Sequence, residues 1–258
     1  MIDDAQPLSK QRVVVIGGTS GMGMAAARAA SQAGAEVIAF GRRSSPKSLS
    51  TQVVRGSITF RSLDMTDDAA VEQAFETIGA LDHLLITATP PAPGGAFLSQ
   101  TLAEAQSVLS GKFLGSWSCA RHAAPKMRKG GSITFTTGGL VARPRVGASM
   151  MTVAFAGLEA LTRALALELG PIRVNTIRPG VIDSEMWAGM PQTEREAFFA
   201  LVRERFPAGR VGKVDDFGKA ALFLMTNDFV TGAVLEVSGG EALVDIEDTA
   251  TEARKTNA

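Results

Sequence analysis

Apolar positions along the chain come in two kinds of run. Arg12–Ile16 closes on four consecutive apolar residues, Val13, Val14, Val15 and Ile16, and is stopped by Gly17-Gly18. A short β-branched run between turn residues predicts a strand buried on both faces. Residues 36–40, 57–63, 83–86, 131–137, 172–177 and 233–237 read the same way. Between them the spacing turns helical over residues 21–33, 67–78, 102–127, 150–169 and 215–225. Val71, Phe75 and Ile78 mark one such face, and Gly34 stands where the helix over 21–33 should be capped. The long helix over 102–127 is expected to bend near Gly111 or Gly115. Strands alternating with helices predict a parallel sheet covered on both faces, with any ligand beyond the carboxyl ends of its strands.

The 258 residues carry 26 Lys and Arg against 26 Asp and Glu, and the pI is near 6.8. That balance argues against a nucleic acid or an anionic membrane as partner. One cysteine, Cys119, makes neither an intramolecular disulfide nor a thiolate cluster and suits a reducing cytosol. His83 and His122 are too few for most histidine metal sites, so no metal is expected. His83, inside a strand, reads as a core or sheet-edge residue, and His122 as a surface or interface one. There is no tyrosine, so no phenol does the chemistry. The first residues lack the pattern of a secretory signal, and no uncharged apolar stretch reaches the ~18 residues of a membrane span. Without repeats or linkers, residues 1–258 read as a single domain, with its core over 12–244 and a polar tail over 247–258.

Gly17-Gly-Thr-Ser-Gly21-Met-Gly23 lies between a strand and a helix, the setting in which such a loop holds a pyrophosphate. Gly17 permits the turn, Gly21 lets backbone amides approach an anion, and Gly23 lets helix and strand pack closely. Thr19, Ser20 and Met22 complete the loop, and the helix amino end adds free N–H groups. After the second strand stand Arg42 and Arg43, where an NAD site would carry an acid. Two guanidiniums suit a 2′-phosphate, which points to NADP(H). Asp64, ending the third strand, either accepts from an adenine amino group or caps a helix.

With the glycine loop, Leu63-Asp64-Met65, Arg173-Val-Asn175-Thr-Ile-Arg-Pro179-Gly180 and Val230-Thr-Gly232 through Ser238-Gly239-Gly240, the chain resembles the short-chain dehydrogenase/reductases from about residue 12 to 244. The resemblance implies a single Rossmann-type α/β domain with a seven-stranded parallel sheet, a nicotinamide cofactor and a homodimer or homotetramer. It also implies cofactor contacts from Met65, Ala88 and Thr89, and from Pro179, Gly180, Ile182 and Ser184. The family's Asn, Ser, Tyr and Lys, placed by their neighbours, fall on Lys112, Gly138, Met151 and Phe155. All four are replaced. Losing the phenol that protonates an alkoxide costs about 10²- to 10⁴-fold in rate.

Substitutes are few. Lys112 either reaches the vacated relay or is a solvated surface lysine. Asp183 is a proton donor if desolvated, or a loop residue. Trp187 could stack on a flat substrate, and Arg145, with Arg143, could hold an acidic one or face water. Thr136 and Thr137 offer hydroxyls or simply pack. Met150, Met151 and Phe155 make the corner apolar, a setting for a greasy substrate. Phe198, Phe199 and Phe206 form either a lid over it or helix core. The expected activity is an NADP(H)-dependent reduction of an apolar carbonyl, an imine or iminium, or an activated enone. The alternatives are a non-redox isomerase or cyclase and a cofactor-binding pseudoenzyme. The helix over 153–169 is apolar on more than one face, which suits a subunit contact.

Overall fold

The computed structural model describes residues 6–42, 56–89 and 94–244. Arg43 and the tail over 247–258 lie outside the described residues. Each strand expected from an apolar run forms: β1 (Arg12–Ile16), β2 (Glu36–Gly41), β3 (Ser57–Ser62), β4 (Leu81–Ile86), β5 (Met127–Thr136) and β6 (Arg173–Pro179). Two short strands that the sequence did not announce, β7 (Ile182–Asp183) and β8 (Gly212–Lys213), pair with each other before β9 (Val234–Val237). The seven longer strands make one parallel sheet in the order β3-β2-β1-β4-β5-β6-β9. The chain moves outward from β1 to β3 and then restarts on the other side at β4. This reversal leaves a crevice between the ends of β1 and β4.

The helices are α1 (Gly21–Gln32), α2 (Asp68–Ile78), α3 (Leu102–Val108), α4 (Gly115–Ala123), α5 (Ser149–Glu168), α6 (Gln192–Arg205) and α7 (Val214–Thr226). Val13 and Val15 pack into one layer with Ala26 of α1 and Phe217 of α7. Val14 and Ile16 pack into the other with Val71 and Phe75 of α2, Cys119 of α4 and Leu158 of α5. Alternate side chains of one strand thus feed opposite cores, which is why β1 is apolar at every buried position.

The long helix does not run unbroken. α3 passes into a π-helical segment, Leu109–Leu114, and α4 ends at Ala123. Pro125, which lacks an N–H, sits in the tight turn Ala124–Lys126 that follows. The bend expected at Gly111 or Gly115 takes the form of the π segment, whose wider turn inserts an extra residue. A Cβ at Gly115 would lie 2.9 Å from the Met65 carbonyl, so α4 begins flush against that backbone.

Much of the Arg173-Val-Asn175 motif is architecture. Arg173 donates to the carbonyls of Leu224 at 2.6 Å and Met225 at 2.9 Å, capping α7. Asn175 donates to Val230 O and accepts from Ala233 N, tying β6 to the approach of β9. An 18-residue stretch of α5 has a mean hydropathy of 1.4, and by length and composition alone the helix is apolar enough to cross a membrane. Glu159 and Arg163 interrupt its run, so the lack of an uncharged stretch understates how apolar it is. Its inner face packs Ala154, Phe155, Leu158 and Thr162 into the protein.

His83 is a core residue, as its strand position predicts, with Nδ1 at 2.8 Å from Ser132 Oγ and Nε2 at 2.6 Å from Gln11 Oε1. Burial, helped by the Arg173 charge, lowers its pKa from 6.5 to about 4. The folded protein therefore holds a neutral ring that the unfolded chain would protonate. This contribution is complete above pH 6.5 and is lost as pH falls toward 4, about 3 kcal/mol in all. Urea unfolding of the wild type should weaken over that window, and His83→Gln should flatten the acid limb. An unchanged limb in the variant would remove His83 from the acid response.

Candidate functional site

A cleft of about 920 Å³ opens along the carboxyl ends of the strands. Gly17, Thr19, Ser20, Gly21, Met22 and Gly23 all line it. The amides of Gly17 and Gly18 donate to Phe40 O at 2.8 and 2.9 Å, fastening the loop to β2. Gly17 sits at φ +87, and a Cβ there would meet Ala88 N at 2.6 Å. At Gly23 a Cβ would fall 2.1 Å from Gly17 O. These two glycines allow backbone to touch backbone. Gly21, at φ +51, is different: the nearest atom to a Cβ there is Glu185 Oε2 at 3.3 Å. Ser20 is the N-cap of α1, yet its side chain makes no capping bond. The loop therefore presents the amino end of a helix, with its partial positive charge, to the cleft, which is the chemistry a pyrophosphate requires.

Arg42 borders the same end. Gly41 brings it there, since a Cβ on Gly41 would lie 2.2 Å from Thr19 Oγ1. The Arg42 guanidinium is exposed and makes no salt bridge among the described residues. Asp64 and Met65 do not line the cleft. Asp64 accepts from Thr66 N at 3.0 Å and Thr66 Oγ1 at 2.7 Å, and these bonds hold its carboxyl below the usual range. Asp64 thus closes a turn, and the cap of α2 is Asp67, so the helix-capping alternative is not realised. Met65 is buried in the core beneath α4.

The other end is apolar. Ala88, Thr89, Gly138, Met150, Met151 and Phe155 line it, with Pro179, Gly180, Ile182, Ser184 and Trp187 along one wall. A Cβ on Gly138 would come within 2.9 Å of Phe155 Cε2, so the aromatic ring occupies space that a side chain at 138 would claim. Trp187 donates from Nε1 to Ile182 O at 2.8 Å and meets Phe198 and Phe199 at centroid distances of 5.2 and 5.9 Å. Phe199 and Phe206 are buried with Val181 and Val202, so the segment over the cleft carries its own small core. Asp183 is exposed and stands off the cleft, which is not the place of a desolvated donor.

Lys112 is neither solvated nor in the cleft. It is 1% exposed, beneath the floor, with Nζ donating to Ala88 O at 3.0 Å and lying 5.7 Å from the Phe155 ring centre. Burial lowers its pKa from 10.5 to about 7. Arg145 lines the cleft but pairs with Glu241 at 3.1 Å, which offsets its grip on an acidic substrate. Arg143 donates from Nε to Ala242 O at 3.1 Å, so neither arginine simply faces water. Sequence reasoning missed Glu241. It lies just after the Gly239-Gly240 turn, and only folding brings it against Gly139 and Gly180. Burial pushes its carboxyl above the ordinary range, with the Arg145 charge opposing. Thr137 lines the cleft, but its hydroxyl is engaged, donating at 3.0 Å to buried Glu159, which also receives Arg178 at 2.6 and 2.9 Å.

Sheet order, glycine loop and cleft define an α/β protein of the Rossmann class. A family model described as enoyl-(acyl carrier protein) reductase matches residues 17–241. The chain belongs to the short-chain dehydrogenase/reductase family, whose members use nicotinamide cofactors. The short-chain dehydrogenase/reductase fsr5 of Gibberella fujikuroi is 31% identical over 92% of this chain and 96% of its own. A small-chain dehydrogenase crystallised in complex with NADPH superposes with a TM-score of 0.77 at 34% identity, covering 91% of this chain and all of that one. The MalC reductase/Diels-Alderase of Malbranchea aurantiaca gives a TM-score of 0.84 at 25% identity, over 93% of this chain and 99% of its own.

Proposed function

We propose that this protein is an NADP(H)-dependent reductase that passes hydride to an apolar acceptor without a tyrosine acid. The acceptor classes are an apolar carbonyl, an imine or iminium, and an activated enone. One observation carries the reading: an anion-binding loop beside Arg42 opens into a corner of Met150, Met151 and Phe155 in a chain with no tyrosine. The amino end of α1 would hold the pyrophosphate, and Arg42, with Arg43, the 2′-phosphate. Ala88 and Thr89 with the stretch from Pro179 to Ser184 would enclose the nicotinamide half. When bound, the cofactor supplies the hydride. Met151 and Phe155 exclude water and shape the pocket, and at the positions matched to the family's Ser and Lys, Gly138 and Phe155 offer no proton. Such a corner favours acceptors that need little protonation. The NADPH-bound relative supports the cofactor choice.

Oxidation of NADPH by panels of imines, enones and ketones tests the reaction. Tight NADPH binding with no turnover on any class would refute it. Arg42→Ala should weaken NADPH by about 10- to 100-fold, the 1.5–3 kcal/mol of a charge-assisted bond, and leave NADH unchanged. Equal losses for both nucleotides in titration would remove the NADP(H) preference. A second reading, cyclisation of a bound intermediate, draws on the Diels-Alderase activity in MalC's description. It requires product without net consumption of nicotinamide. The proposal keeps a homodimer or homotetramer, supported by exposed Trp117 on α4 and Val153 and Leu167 on α5. It also keeps a cytosolic setting, supported by the single, buried Cys119.

A further inference from the structure

Lys112 carries its ammonium on the π segment Leu109–Leu114 with no carboxylate partner among the described residues. Ala88, which accepts from Nζ, and Phe155, whose ring centre lies 5.7 Å from it, are also cleft floor. One layer of atoms thus separates the amine from the apolar end of the cleft. The phosphates belong at α1 and Arg42, so the ring that gives up hydride belongs at this end; the inference rests on that reading. The ring is neutral when reduced and a pyridinium cation when oxidised.

We propose that Lys112 is a specificity-determining residue that makes the cleft hold the reduced cofactor more tightly than the oxidised one, by repulsion between ammonium and pyridinium across the Phe155–Ala88 floor. Water does not reach Lys112 to screen the pair, so the effect is on the order of tenfold in affinity. The surroundings leave the charge uncompensated. α5 presents Phe155, and its buried acid Glu159 is engaged by Arg178 and Thr137. α3 contributes Glu104, held in its own capping box with Thr101. On α4, His122 pairs with Asp68, and burial pushes the Cys119 thiol up to about 12. The end of β4 contributes only Thr87 and the Ala88 peptide.

The same charge ranks acceptors: an enone or carbonyl, which gains negative charge as hydride arrives, is favoured over a cationic iminium. It also predicts proton release from Lys112 when the oxidised cofactor binds, because a like charge disfavours the ammonium.

The test is the ratio of NADPH to NADP+ affinity, read by calorimetry at about pH 6 and about pH 8.5, on either side of the Lys112 titration at about 7. The 2′-phosphate is common to both forms and cancels. The wild type should prefer NADPH by about tenfold at the lower pH and lose much of that preference at the higher. Lys112→Met should level the ratio at both. Lys112→Arg, whose charge does not titrate, should keep it at both. The wild-type pH series stands even where a variant fails to fold. A ratio independent of pH, or one retained in Lys112→Met, overturns the inference while leaving the cofactor reading intact. Binding of neither nucleotide overturns both.

Discussion

Gly23→Ala is expected to weaken NADPH binding by about 10- to 100-fold and to lower the melting temperature. Its Cβ would sit 2.1 Å from Gly17 O and 2.5 Å from Thr87 Oγ1. Gly17 cannot retreat, because its amide is bound to Phe40 O and its own Cα faces the Ala88 backbone. α1 must therefore lift from β1, carrying its N–H groups away from the pyrophosphate. Overpacking of this kind costs about 1–3 kcal/mol, and here most of it falls on the cofactor loop. Gly189→Ala is the control, since a Cβ there meets nothing within 4 Å and the backbone is not left-handed. Titration with NADPH and thermal unfolding of both variants decide the matter. Wild-type affinity in Gly23→Ala would mean that the loop is not the phosphate site.

Glu159→Ala is expected to destabilise the protein by about 3 kcal/mol or more. Its carboxylate receives two bonds from Arg178 and one from Thr137, and both ion-pair side chains are largely buried, at 7% and 17% exposure. Truncation leaves the guanidinium with Glu236 at 3.4 Å as its remaining acidic partner. The damage should reach the cleft, because Thr137 precedes Gly138, Arg178 precedes Pro179, and Phe155 lies one turn before Glu159. Arg178→Met in the same chain should recover much of the loss, since an uncompensated buried charge is the costly state. Lys126→Met, which removes the exposed pair with Glu76, should cost about 0–1 kcal/mol. Urea unfolding gives all three values, and a loss in Glu159→Ala no larger than that of Lys126→Met would show the network to be ornamental.

Local pattern reached far into the fold. β1 was legible because a strand buried on both faces must be apolar at successive positions, and the glycine loop because a strand-to-helix turn allows few residue types. The start of α2 was equally local, although residue 67, read as the first helical residue, is its cap, the side chain accepting from Ala70 N. The break after Ala123 was missed although Pro125 was in plain sight, because the apolar spacing of the preceding residues outweighed one proline. Strands β7 and β8 are two residues each, too short to show a period.

At the cleft the division is the same. Residues 17–23 and Arg42 could be placed from sequence because each follows its strand directly and strand ends share one edge of a parallel sheet; Pro179 and Gly180, where β6 ends, came from the family resemblance. Glu241, Lys112 and Asp64 could not. Whether an ionisable side chain caps a turn, pairs in the interior or faces a ligand depends on atoms supplied by distant segments. Lys112 takes its carbonyl from residue 88 and its ring from residue 155.

Sequence alone therefore settled the order of the main elements, the two-sided sheet and the glycine loop between β1 and α1, all consequences of periodicity and turn chemistry within a few residues. Tertiary packing decided the rest: a lysine hidden beneath the floor, a glutamate enclosed against Arg145, and an aromatic ring that fits only because residue 138 has no side chain. Desolvation and close contact are properties of assembled surfaces, and no stretch of chain carries them before those surfaces meet.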